Sequence, residues 1–154
     1  MQNRTGFAPL LRLEDRMSVR RRQSDLPIIR SLLAVNPGVR LLDLGGGTGA
    51  LAAVFAGDGA RAVALEPNPR KVAFGGSRHP QVEFLEGHAE RIPFPDGSFD
   101  RALCLDVLEH LSYEEQPRAL AELHRVLARG GELLISVPNL AHLQSRLHFL
   151  LRGE

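Results

Sequence analysis

A parallel β-sheet packed between helices on both faces is the fold class this sequence predicts, and three observations predict it. Five short apolar runs are spread along the chain and alternate with segments of helical period. Glycine or proline marks most of the boundaries between them. The runs are continuously apolar rather than alternating, as strands covered on both faces are. Repeated right-handed β–α units then give a doubly wound, three-layer α/β sandwich with a mainly parallel sheet. With 154 residues, 44% of them hydrophobic, there is room for one domain with a sizeable core.

The elements follow in order. Residues 1–24 are a polar, basic lead-in carrying Arg12, Arg16 and Arg20 to Arg22, either mobile or helical, ahead of a core assigned to 25–154. Leu26 to Leu33 reads as a helix, stopped by Asn36-Pro37-Gly38. The first strand covers about 39–44, and a helix over about 49–57 follows, with Leu51, Val54 and Phe55 at helical spacing and Gly57 and Gly59 closing it. A second strand at about 61–65 leads to a helix from Pro69 to about Phe74, which Gly75-Gly76 is expected to end. The third strand is placed at about 82–85. A loop with Pro93, Pro95 and Gly97 reaches the fourth, at about 99–105. A helix fills roughly 114–128, and Gly130-Gly131 turns the chain into a fifth strand at about 132–137. A last amphipathic stretch sets Leu140, Leu143, Leu147, Leu150 and Leu151 on one face.

Composition excludes several functions. A net charge of +1 gives no global attraction to nucleic acid. No apolar run reaches the roughly 18 residues of a membrane span, and the N-terminus has no signal-peptide core. The single Cys104 rules out a disulfide framework and suits a cytoplasmic protein. One cysteine and six scattered histidines have no zinc-ligand spacing, so no metal is expected.

The chemistry concentrates in Val39 to Gly49, VRLLDLGGGTG. A buried strand leaves through glycines at 45, 46, 47 and 49, where a backbone can touch a ligand closely, and the following helix offers its N-terminus to an anionic group. Gly45-x-Gly47-x-x-Ala50 satisfies the permissive dinucleotide fingerprint. Asp43-x-Gly45-x-Gly47-x-Gly49 also satisfies the tighter acidic pattern of methyltransferases that use S-adenosylmethionine. A carboxylate at this strand end repels a pyrophosphate and attracts the ammonium of a methionyl group. Asp43 therefore favours the second ligand.

Five motifs arrive in order: LLDLGGGTG at 41–49, ALEPNP at 64–69, GHAERIPFPDGSFD at 87–100, LDVLEHL at 105–111 and RVLARGGELLISVPN at 125–139. Over about residues 25 to 145 the chain resembles the class I methyltransferases, in the broad small-molecule group often called type 11 or type 23. The resemblance implies a Rossmann-like fold with strand order 3-2-1-4-5, S-adenosyl-L-methionine as cofactor and a small-molecule acceptor. It places the cofactor against Asp43, Gly45, Gly46, Gly47 and Gly49, against Glu66, Pro67 and Asn68, and against His88, Ala89, Glu90, Leu105 and Asp106.

Each position also has a plainer reading. Glu66 stands about 20 residues beyond the first glycine, where an acid meets ribose hydroxyls, or is a solvated residue at a loop start. Asn68 lines the same pocket or caps the next helix. His88 replaces the aspartate that the family usually sets near the adenine amino group. A neutral imidazole nitrogen can accept that hydrogen bond without the charge, and the backbone N–H of Ala89 can read the ring edge. The alternative for His88 is an exposed loop histidine. In the resembled family the Asp106 to His110 loop lies beside the transferable methyl group. His110 is thus the candidate general base or else a brace for its loop, with Glu109 and Asp106 weaker candidates. The basic lead-in either closes over the cofactor or is a solvated helix.

The resembled fold has seven strands, the last two an antiparallel pair beside the fifth. Only five are found here, which predicts a fragment of a longer polypeptide, or a second copy or partner chain over the fifth strand's edge. Two further readings stand beside the methyltransferase: a non-catalytic cofactor- or partner-binding module of the same fold, and a nicotinamide-dependent dehydrogenase.

Overall fold

The computed structural model describes residues 25–137. The lead-in of 1–24 and the amphipathic stretch from Leu140 to Leu151 lie outside them. The described elements are α1 (25–32), β1 (Arg40–Leu44), α2 (Ala50–Gly57), β2 (Arg61–Glu66), α3 (Pro69–Arg78), β3 (Glu83–Glu86), β4 (Phe99–Leu105), a single 3-10 turn (Leu108–His110), α4 (Glu115–Val126) and β5 (Leu127–Ser136). All strand pairs are parallel, in the order β3-β2-β1-β4-β5. The predicted fold class and strand order hold.

Strand pleating divides the core in two. Leu41, Ala62, Ala64, Leu103 and Leu105 point to one face, where they meet Ile29 and Leu33 at the end of α1 and Leu51, Ala52 and Phe55 of α2. Leu42, Leu44, Val63, Leu65, Ala102 and Cys104 point to the other, against Ala119, Leu123 and Val126 of α4. Because β1 and β4 are covered on both faces, Leu41, Leu42 and Leu103 have no exposed surface. Each such leucine contributes about 1.5–3 kcal/mol by leaving water.

Two expected boundaries move, each for a packing reason. Gly75 and Gly76 do not end α3, which continues to Arg78. A Cβ on Gly75 would lie 2.4 Å from the Phe84 ring and 2.9 Å from the Thr48 carbonyl, so this glycine admits a neighbour instead of breaking a helix. Likewise α4 stops at Val126 and β5 begins at once, rather than at 132. Leu127 pairs with Phe99 before the ladder slips and resumes with Glu132 opposite Arg101. Gly130, at φ 78, and Gly131, packed on the Asp100 and Ala128 carbonyls, carry the extra residues as a bulge.

The long loop between β3 and β4 is fastened by two residues of α4, Arg125 and Glu122. Arg125 donates to the carbonyls of Ile92 (2.9 Å) and Phe94 (2.8 Å), to Asp96 (2.9 Å) and, through two nitrogens, to both oxygens of Glu122 (2.7 and 2.8 Å). Glu122 in turn accepts from the Ile92 N–H at 2.8 Å. Phe94 meets Phe99 edge to face, with centroids 4.9 Å apart. At the same, amino-terminal end of the sheet, Arg40 of β1 holds Asp100 of β4 by two side-chain bonds (2.7 and 3.1 Å) and its backbone N–H (2.9 Å).

Candidate cofactor and acceptor site

A cavity of about 470 Å³ opens at the carboxyl ends of β1, β2 and β4. The sheet order reverses between β1 and β4, and open α/β sheets bind ligands at such a point. One wall is Leu44, Gly45 and Gly47; the next is Leu65, Glu66, Pro67 and Lys71. Gly87 to Glu90 form the third, and Asp106, Val107, His110, Leu111 and Glu115 the fourth. Four carboxylates thus stand around one lysine and two histidines.

The four glycines do different jobs. A Cβ on Gly45 would strike Val107 at 2.5 Å, so this glycine lets the loop after β4 settle on the loop after β1. On Gly46 it would crowd Ala64 and Asp43, and on Gly49 it would sit 2.2 Å from the Phe84 ring. Gly47 alone of the four, at φ 59, faces open space, and it is the one whose missing side chain leaves room for a ligand.

Glu66 is 7% exposed, which removes the solvated reading. Its Oε2 accepts from the Gly47 N–H at 3.0 Å and its Oε1 from the Asn68 N–H at 3.1 Å. Each oxygen keeps acceptor capacity for a hydroxyl. Asn68 resolves the other way: its side chain accepts from the Arg70 N–H at 3.0 Å and caps α3, and it is not in the cavity wall.

Asp43 is not at the mouth of the cavity, where the sequence placed it. It is 5% exposed and lies under Gly46, whose Cβ would come within 3.2 Å of Oδ2. The pleat of β1 explains this: Asp43 shares a face with Leu41 and is roofed by the glycine loop. The start of α2 is also inward, with Thr48 and Ala50 buried and Gly49 closed by Phe84, so its N-terminus does not line the cavity. Leu105 is buried behind the wall that Asp106 begins.

His88, Ala89 and Glu90 all reach the cavity. The His88 side chain is both exposed and part of the wall, 4.0 Å from the Glu90 carboxylate. His110 ends the 3-10 turn; the carbonyls of Leu108, its first residue, and of Leu111, just past it, accept from the Gln116 side chain at 3.1 and 3.3 Å. The amide of Gln116 is therefore a brace for this turn. Asp106 has φ 56, the only positive value at a non-glycine among the described residues. Such a backbone costs on the order of 1 kcal/mol and tends to mark a ligand site.

Sequence reasoning missed Lys71 and Glu115. Lys71 follows the Asn68 cap by three residues, close to one helical turn, and that spacing was a usable signal. Glu115 completes Ser112-x-x-Glu115, whose far end accepts the Ser112 N–H at 2.7 Å. That bond is the main cause holding the Glu115 carboxyl below the usual range, with Arg118 and His88 adding to it. Burial, helped by the charges of Glu109 and Asp43, pushes the Cys104 thiol up to about 11, so it stays protonated and inert.

A glycine-lined cleft with an acid closing the second strand, at the reversal of a 3-2-1-4-5 sheet, defines a Rossmann-like fold with its cleft where such sheets take ligands. The family model described as "Methyltransferase domain" matches residues 42–135, over half of the chain, and the chain belongs to that family. It is 38% identical over 104 residues to the demethylmenaquinone methyltransferase of Beutenbergia cavernae, covering 68% of this chain and 42% of that protein. The chain thus spans about two fifths of this relative's length. Among solved structures it is similar to a SAM-dependent methyltransferase of Thermotoga maritima, at 27% identity and TM-score 0.75, covering 96% of this chain and 67% of that one. The [4+2]-cyclase SpnF is also similar, at 33% identity and TM-score 0.65, over 74% of this chain and 43% of that one.

Proposed function

We propose that this chain binds S-adenosyl-L-methionine in the cavity at the β1–β4 reversal and serves methyl transfer to a small-molecule acceptor. The observation that carries this reading is the charge of the walls: Glu66, Glu90, Asp106 and Glu115 surround one fixed cation, Lys71. Such walls suit a ligand bearing a sulfonium and an ammonium, and they repel the pyrophosphate of a dinucleotide. A dehydrogenase is disfavoured on that ground. The residues fit the cofactor in shape as well, since Gly47 leaves open space beside Glu66.

When bound, S-adenosylmethionine supplies a methyl group already activated on its sulfonium. The chain's own part is alignment, exclusion of water and, for some acceptors, a base. Glu66 accepts the ribose hydroxyls, while Ala89 and His88 meet the adenine edge. The loops of Gly45, Gly46 and Gly49 hold the glycine turn in place, and Asp43 supports it from beneath. Pro67, Asn68, Glu90, Leu105 and Asp106 complete or support the walls. His110 stands where it can take a proton from an acceptor oxygen or nitrogen. A cytoplasmic setting, supported by the one unpaired cysteine, belongs to the same proposal.

Titration calorimetry with S-adenosylmethionine and S-adenosylhomocysteine tests the reading, and folded protein that releases no heat with either would overturn it. Glu66→Gln should lower affinity for both by about tenfold or more, the cost of losing a charged acceptor. The similarity to a [4+2]-cyclase supports a second reading, in which the same pocket holds cofactor without transferring its methyl group. Labelled-methyl transfer across a panel of acceptors separates the two.

A further inference from the structure

Asp106 is held in its left-handed backbone by a residue that stands outside the cavity. Ser136 ends β5, opposite Leu105 in the ladder. Its Oγ accepts from the Asp106 N–H at 3.1 Å and donates to the Asp106 Oδ1 at 2.9 Å, closing a ring with the main chain and carboxylate of one residue. The Ser136 carbonyl accepts from the same N–H at 3.2 Å. Glycine would adopt φ 56 freely, so the strain keeps a carboxylate at this wall. A carboxylate gripped at both its backbone and one oxygen cannot swing away from the cavity.

We propose that Ser136 is a positioning residue, which by fixing the Asp106 carboxylate at the cavity wall shifts binding toward a positively charged sulfonium ligand and away from its neutral thioether product. The inference rests on the cofactor reading above. S-adenosylmethionine and S-adenosylhomocysteine differ by one methyl group and one positive charge, so the ratio of their affinities reports the field of the wall with little change in shape. A hydroxyl that only braced β4 against β5 would alter both affinities alike.

The test is calorimetry of both ligands on the 154-residue chain at neutral pH, for the native protein, Ser136→Ala, Ser136→Thr and Asp106→Asn. Asp106→Asn should cut the affinity ratio, charged over neutral, by about tenfold. Ser136→Ala should cut it by about threefold with the product's affinity little changed, and Ser136→Thr, which keeps the hydroxyl, should restore it. If Ser136→Ala lowers both affinities equally, or neither, the inference is overturned while the cofactor reading stands. If the native chain binds neither ligand, both fall. Should Ser136→Ala show no cooperative melt, Asp106→Asn decides, since its amide oxygen can still accept from Ser136; an unchanged ratio there overturns the inference.

Discussion

Two glycines, Gly47 three positions ahead of α2 and Gly49 at its cap, illustrate how unlike the members of one motif can be. Gly49→Ala drives a methyl to 2.2 Å from the Phe84 ring at φ 76, and overpacking of this kind costs about 1–3 kcal/mol or more. Gly47→Ala meets no atom within 4 Å and carries only the backbone strain, about 1 kcal/mol. Urea titration should therefore show Gly49→Ala as the less stable variant, and calorimetry should show Gly47→Ala losing ligand affinity while still folded. The motif's spacing was legible in the sequence, but this division of labour was not. It depends on Phe84, 35 positions past Gly49, coming to lie over the loop. The same limit misplaced Asp43, because the strand pattern reveals which residues are buried and not which of them a loop will roof. Glu66 was legible because its spacing follows from the length of one β–α–β passage.

At the scale of elements, the loop ahead of β4 owes its shape to a side chain on α4. Arg125→Lys keeps the charge and loses the planar fork that reaches Ile92, Phe94, Asp96 and Glu122 together. The amides of Ile92, Phe94, Asp96 and Gly97 should then exchange hydrogen faster than in the native protein. The β1–β4 clamp has a pH signature. Arg40 holds the Asp100 carboxyl down at about 2, below its unfolded value of about 3.9. The unfolded chain thus binds the proton first, so the clamp's contribution is complete above about pH 4 and is lost as pH falls toward 2. The pair is partly exposed, so the effect is modest. Thermal melts of Asp100→Asn should converge with those of the native protein toward pH 2 and lie below them at pH 6. Element order was readable because each strand is one apolar run, and β4 came out at its observed bounds. The Gly75-Gly76 and Gly130-Gly131 pairs misled because a glycine that admits a neighbour, or carries a bulge, looks like one that stops a helix.

At the scale of the molecule, the sheet's central strands anchor both halves of the core, and the cavity rests on their ends. Leu103→Ala, at a position with no exposed surface, should cost about 2–5 kcal/mol in urea unfolding. Ligand binding by the fraction that remains folded should survive, since Leu103 is not a wall residue. One aromatic ring ties the whole together. Phe84 fills the space left by Gly49 at the head of one helix and by Gly75 within another. The three positions are therefore a single unit under selection. Growth at 49 or 75 meets the ring at 84 in either case, so a lineage that drifts at one corner should carry a matching change at another. A Phe84→Leu background should accordingly relieve the ring's share of the cost of Gly75→Ala, the contact with the Thr48 carbonyl remaining, and the non-additivity of that double-variant cycle would measure how tightly these sites are coupled.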